Sequence, residues 1–236
     1  MFACLVRPRE LPAGPRRDVC LVAPRLKPDS FDGVGAIPSM NEEEMFCRQV
    51  RQRSEENRKA MALLHGAALL GQQIGLLRQE LDSMIRVIYL LSVTDRARRR
   101  QQIGAAVQGN TWRGETSRRV TDREMVDLAQ RLHGWVGAVY RFGCAFIHLS
   151  SYHDYKSRDP IKALASDERA HLFEYLRYYH GGPLNNDFTF PDIEPYLPSV
   201  FDKIASNLES RLQTLERGGQ LDPHDMPGDS GAPPKP

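Results

Sequence analysis

The sequence predicts an all-α protein, and three observations carry that prediction. Apolar residues recur at three- and four-residue spacing through the middle of the chain. No stretch alternates apolar and polar residues between turn formers as a strand does. Helix-start and helix-stop residues bracket the periodic segments. With 236 residues, 41% hydrophobic and 26% charged, the chain can bury one core of about 170 residues between two tails. The expected architecture is an antiparallel bundle of four to five helices joined by short links.

Residues 1–40 carry Pro8, Pro12, Pro15, Pro24, Pro28 and Pro38 among arginines and glycines, a composition too poor in apolar area to offset the entropy of ordering, so a disordered tail is expected. Asn41 followed by Glu42, Glu43 and Glu44 reads as an N-cap with acids at the positive helix end. Met40 just before it is the expected translation start. The bundle spans 41–217, and its first helix runs from Glu42 to about His65, polar early and apolar late. Gly66, Gly71 and Gly75 break it or let neighbours approach closely. A second helix over about 72–93 carries Ile74, Leu77, Leu81, Met84, Ile85, Ile88 and Leu91 on one broad stripe. An arginine-rich connector follows, from Thr94 to Val120. Thr121 with Glu124 forms a capping box, and the third long helix it opens should reach about Leu149. A fourth helix near 166–180 ends at Gly181-Gly182, and a last one, about 196–217, ends at Gly218. Residues 218–236, closing in Gly-Ala-Pro-Pro-Lys-Pro, read as a second disordered tail.

A formal net charge of +2 is too small to mark a nucleic-acid binder by itself, so local patches carry the argument. Cys4, Cys20, Cys47 and Cys144 show no paired spacing, which suggests free thiols, a reducing compartment and a cytoplasmic location. The best apolar run, Ile74 to Val93, is interrupted by Arg78, Glu80, Asp82 and Arg86, so no membrane span or membrane partner is expected. The N-terminus lacks a basic start before an apolar core, which argues against secretion.

The segment Tyr140-Arg141-Phe142-Gly143-Cys144-Ala145-Phe146-Ile147-His148 is the most informative piece of chemistry. It sets an arginine and a histidine seven positions apart in an apolar helix, which is two turns, about 10.5 Å along one face. A histidine transfers protons near neutral pH and an arginine clamps phosphate oxygens, so the pair is a candidate catalytic site. The plain alternative is an arginine paired with an acid on a neighbouring helix, Asp82 or Glu80, and a structural histidine. In the connector, Arg98, Arg99, Arg100 and Arg113 are candidate RNA or phosphate contacts, with Trp112 able to stack on a base. Equally, those basic residues could favour a helix C-terminus and solvate a loop. Arg78, Asp82 and Arg86 at four-residue spacing form an ion stripe, or a polar wall facing Arg141.

Arg141, six intervening residues and His148, on the third long helix of a small bundle, resemble the HEPN superfamily (higher eukaryotes and prokaryotes nucleotide-binding). The resemblance extends to bacterial HEPN-like families through the helix from Leu77 to Leu91 and the element Trp112-Arg113-Gly114, and covers roughly residues 60–155. It implies a metal-independent endoribonuclease of toxin, stress or phage-defence type with Arg141 and His148 at work. It also implies a homodimer joining two such pairs across a cleft, RNA as substrate, and an antitoxin or regulatory protein as a further partner. Active members usually carry a polar residue after the arginine, where Phe142 stands here. That departure favours the alternative of a non-catalytic nucleotide-, RNA- or partner-binding module; a helical interaction subunit without a ligand is the other. No cofactor is implied. His133, His148, His153, His171 and His180 lack the spacing of a zinc site on a helix, so no metal is expected. Ser150 and Ser151 lie outside any nucleophile elbow and read as helix-ending residues.

Overall fold

The computed structural model describes residues 41–222, apart from 115, 116 and 186. The two tails assigned to 1–40 and to the end of the chain lie outside the described residues, except for 218–222. The described residues form eight α-helices: α1 (Glu42–Gly66), α2 (Leu70–Ser92), α3 (Arg96–Val107), α4 (Asp122–Leu132), α5 (Val136–Ile147), α6 (Pro160–Ala163), α7 (Ser166–His180) and α8 (Leu197–Glu216). Among the described residues the only β pairing is an isolated bridge between Arg113 and Arg119. The protein is all-α.

α2 is the axis of the fold. Leu81, Met84, Ile85, Val87, Ile88, Leu90 and Leu91 are fully buried, because α1, α4, α5 and α8 pack around it on all sides. Side-chain pairings give the directions of its neighbours. Ser54 and Asn57 of α1 donate to the buried carboxylate of Glu80, Asn57 at 2.9 Å, and His65 meets Gln73, so α1 runs antiparallel to α2. α5 does too, since Gly71 approaches Phe146 while Arg78 meets Tyr140 and Gly143. α8 runs along α2 in the same sense: Gln73 donates to Glu194 just before α8, and Leu221 just after it donates to the Leu91 carbonyl at 3.1 Å.

The helix ends follow the expected chemistry. Asn41 with Glu44 and Thr121 with Glu124 form capping boxes. Gly181 closes α7 in the left-handed region at φ 73°. Three elements differ from the sequence expectation. The segment 94–120 contains a helix, α3: Asp95 accepts from the backbone N–H of Ala97 and starts it. The long third helix is two helices, α4 and α5, broken at His133-Gly134-Trp135. There the Gln130 side chain donates to the Gly134 carbonyl and accepts from the Gly137 N–H, replacing the helical ladder. And the chain stays packed beyond Gly218, with Leu221 buried and Gln220 donating to the Thr94 carbonyl at 3.0 Å.

Candidate functional site

α5 carries the Arg/His motif. Its inward side is aromatic: Phe146 stacks on Phe190 at 5.3 Å between centroids, and Phe142 packs at a tilt against Phe146, Tyr152 and Phe190. Phe142 is therefore one of the residues that seat α5. Arg141 points away from this cluster into solvent, with 64% of its side chain exposed, and its Nε lies 3.4 Å from a Glu168 oxygen on α7. The predicted acidic partners Asp82 and Glu80 are engaged elsewhere. An exposed pair of this kind is worth at most about 1 kcal/mol, so a phosphate could displace Glu168 at little cost.

His148 lies one residue past the helix. It is the C-cap, with extended backbone (φ −105°, ψ 144°), and its N–H donates to the Cys144 carbonyl. Helical face arithmetic therefore applies to Arg141 and not to His148, although both are exposed. Ile147 and Leu149 on either side of His148 are 44% and 96% exposed. Ser150 ends this turn as expected, donating to the Ala145 carbonyl and accepting from Tyr152.

Arg78, Asp82 and Arg86 form an ion stripe that also ties three helices together. Arg86 Nε meets Asp82 at 2.9 Å, Arg78 meets Asp82 at 3.6 Å, and both arginines reach Asp122 at the start of α4. Arg78 is buried, with its guanidinium 3.9 Å from the centroid of the Tyr140 ring of α5. Burial opposes its charge, but the Cys144 thiol and Asp82 outweigh burial and raise its proton affinity. Arg78 lies beneath α5, on the core side of Tyr140 and Gly143, whereas Arg86 lies against Asp122 and Trp112.

The arginine-rich segment is mostly occupied. Trp112 is buried, stacked on Tyr89 at 5.7 Å with Arg86 over its ring, so neither face is open to a base. Arg99 is 4% exposed and donates to the Gly219 carbonyl at 2.5 Å, with its Nε and Nη2 left without a partner among the described residues. Arg113 donates to Ser117. Arg98 is half-buried and already engaged. Arg100 is exposed but lines a cleft with Glu42, Glu43, Glu44 and Glu216. The segment packs between α1, α2 and the chain end.

One feature escaped sequence reasoning. α5, α7 and α8 enclose an apolar trough with Lys203 and His180 at its rim. Its members come from four separate helices and the turn before α8, so no local motif announces it. Among the described residues no three metal-binding side chains converge, and no helix is long and apolar enough to cross a membrane. Fold and site together define an all-α bundle that exposes an arginine on α5 and a histidine at the cap that ends it. No family model matches the chain, and no curated protein or solved structure matches it.

Proposed function

We propose that this protein is a HEPN-like endoribonuclease that cleaves RNA without a metal ion, using Arg141 and His148 in a homodimer. The observation that carries the reading is that Arg141, on an otherwise core-forming helix, and His148, the residue that caps its end, are both exposed, with Ile147 and Leu149 uncovered beside His148. A second copy covering that apolar pair would bring two histidines to one cleft and remove it from bulk water. In the reaction one imidazole takes the ribose 2′-OH proton as that oxygen attacks the adjacent phosphorus. The second protonates the departing 5′ oxygen, and Arg141 holds the charged phosphoryl oxygens. The products are a 2′,3′-cyclic phosphate and a free 5′-OH.

The test is end-labelled RNA incubated with the purified full chain in EDTA, beside Arg141→Ala and His148→Ala. Cleavage leaving cyclic phosphate ends, lost about 10²-fold or more in His148→Ala while folding is unchanged, supports the reading. Intact RNA, or cleavage that survives both variants, overturns it. A second reading, binding without cleavage, is favoured by Phe142, which packs into the aromatic cluster with Phe190 where active members of the resembled family carry a polar residue. Retention of RNA by the wild-type chain with no cut would select it.

A further inference from the structure

The trough between α5, α7 and α8 has a hydrocarbon floor made by Leu77, Trp135, Leu176, Ile193 and Ile204, all buried. Its cavity volume is about 70 Å³, set in open space of about 720 Å³ counted out to solvent. At the rim Lys203 Nζ stands 3.7 Å from the centroid of the Tyr179 ring, and the His180 ring lies 6.4 Å from the same ring. No carboxylate of the described residues is within ion-pairing distance of either group. Burial lowers the proton affinity of Lys203, and burial together with the Lys203 charge lowers that of His180. The rim thus sets the Lys203 ammonium, with no carboxylate partner among the described residues, beside an imidazole whose charged form is disfavoured.

Two constraints follow for an occupant. Whatever enters the floor meets almost no hydrogen-bonding group there, so a base, sugar or peptide backbone would leave its polar atoms unpaired. The rim favours a single negative charge. An alkyl chain ending in one carboxylate satisfies both, with its tail end in the enclosed space, roughly two waters' worth, and the rest along the open trough. We propose that this trough binds a medium-chain carboxylate, with the alkyl chain over Leu176 and Ile204 and the carboxylate on Lys203 and His180. The proposal is independent of the ribonuclease reading and stands or falls without it.

The experiment is titration of the full chain with hexanoate, octanoate, decanoate and octan-1-ol, followed by Trp fluorescence, since Trp135 lines the trough, and by calorimetry. The expected result is saturable octanoate binding that tightens up to about fourfold per added methylene, with octan-1-ol at least tenfold weaker. Lys203→Met should bring octanoate down to the level of octan-1-ol while octan-1-ol is unaffected, and Lys203→Arg should restore the difference. Leu172→Trp at the rim should block both ligands. Should Lys203→Met lose octan-1-ol as well, Lys203→Arg decides, retained octanoate binding supporting the proposal and its loss overturning it. No saturable octanoate response, equal affinity for octanoate and octan-1-ol, or undiminished octanoate affinity in Lys203→Met overturns it. So does light scattering that shows a dimer dissociated by Leu172→Trp, which would make the occupant a second copy.

Discussion

Gly143 is where α5 comes closest to α2, and Gly143→Ala tests that crossing directly. A Cβ built on Gly143 would stand 2.7 Å from Arg78 Cβ, 3.2 Å from its Cγ and 3.3 Å from its Cδ. Arg78 Cβ is fixed to the α2 backbone, so no change of rotamer relieves the closest contact; the helices must separate by more than half an ångström. Helix propensity alone favours alanine by about 1 kcal/mol. Overpacking costs about 1–3 kcal/mol, and separation also loosens the Arg78 guanidinium from the Tyr140 ring, a contact worth about 0.5–2 kcal/mol. The expected net loss is about 0.5–4 kcal/mol, read as a lower urea midpoint at unchanged slope by circular dichroism. Gly66→Ala is the matched control, because at the end of α1 a new Cβ meets nothing within 4 Å; it should be neutral or stabilising by up to about 1 kcal/mol. If Gly143→Ala gains as much as Gly66→Ala, α5 does not pack against α2 at this distance and the site's scaffold is wrong.

Three further outcomes are expected. Arg51 clamps Glu209 and Glu216 with four hydrogen bonds between α1 and α8, holding both carboxyls below the usual value of 4.5. That stability is present above the unfolded carboxyl pKa and lost as pH falls below it. Arg51→Met should therefore lower the melting temperature at neutral pH by the equivalent of about 1 kcal/mol, discounted for exposure, and flatten the acid limb below about pH 4.5. Burial first, then the charge of Glu216, pushes the Cys47 thiol from 9.0 up to about 12. The folded state keeps a proton the unfolded state loses, so stability should fall above pH 9 by up to about 1.4 kcal/mol per unit, a slope absent in Cys47→Ala. Lastly, Glu168→Gln should leave stability within about 1 kcal/mol of wild type and tighten RNA binding at low salt by freeing Arg141; weaker binding would count against Arg141 as a phosphate clamp.

Much of the fold was legible because its signals are local. Asn41 and Glu44, Thr121 and Glu124, and Gly181 each mark a helix end within four residues of chain, and the stripe from Ile74 to Leu91 identifies the central helix by period alone. The misses have the opposite character. Gly134 by itself costs a helix about 1 kcal/mol, too little to stop one; the Gln130 side chain stops it by taking over two backbone partners, and a glutamine four residues before a glycine is not a recognised signal. α3 was hidden by its charge. Arg96, Arg98, Arg99 and Arg100 read as a solvated or phosphate-binding run, yet arginine is a good helix former, and Asp95 was in place to cap it. Burial of Arg99 depends on a carbonyl 120 positions away, and burial of Trp112, between α3 and α4, on Tyr89 of α2, so neither is recoverable from neighbours in sequence. The same distinction applies to the candidate site. The spacing of Arg141 and His148 is a local pattern and was visible at once, whereas its meaning depends on where α5 ends. Because the last helical residue is Ile147 and His148 is its C-cap with extended backbone, helical spacing does not set the direction of the His148 side chain relative to Arg141. A working pair would therefore need an outside constraint, and the uncovered Ile147 and Leu149 beside His148 are where a second copy could supply it.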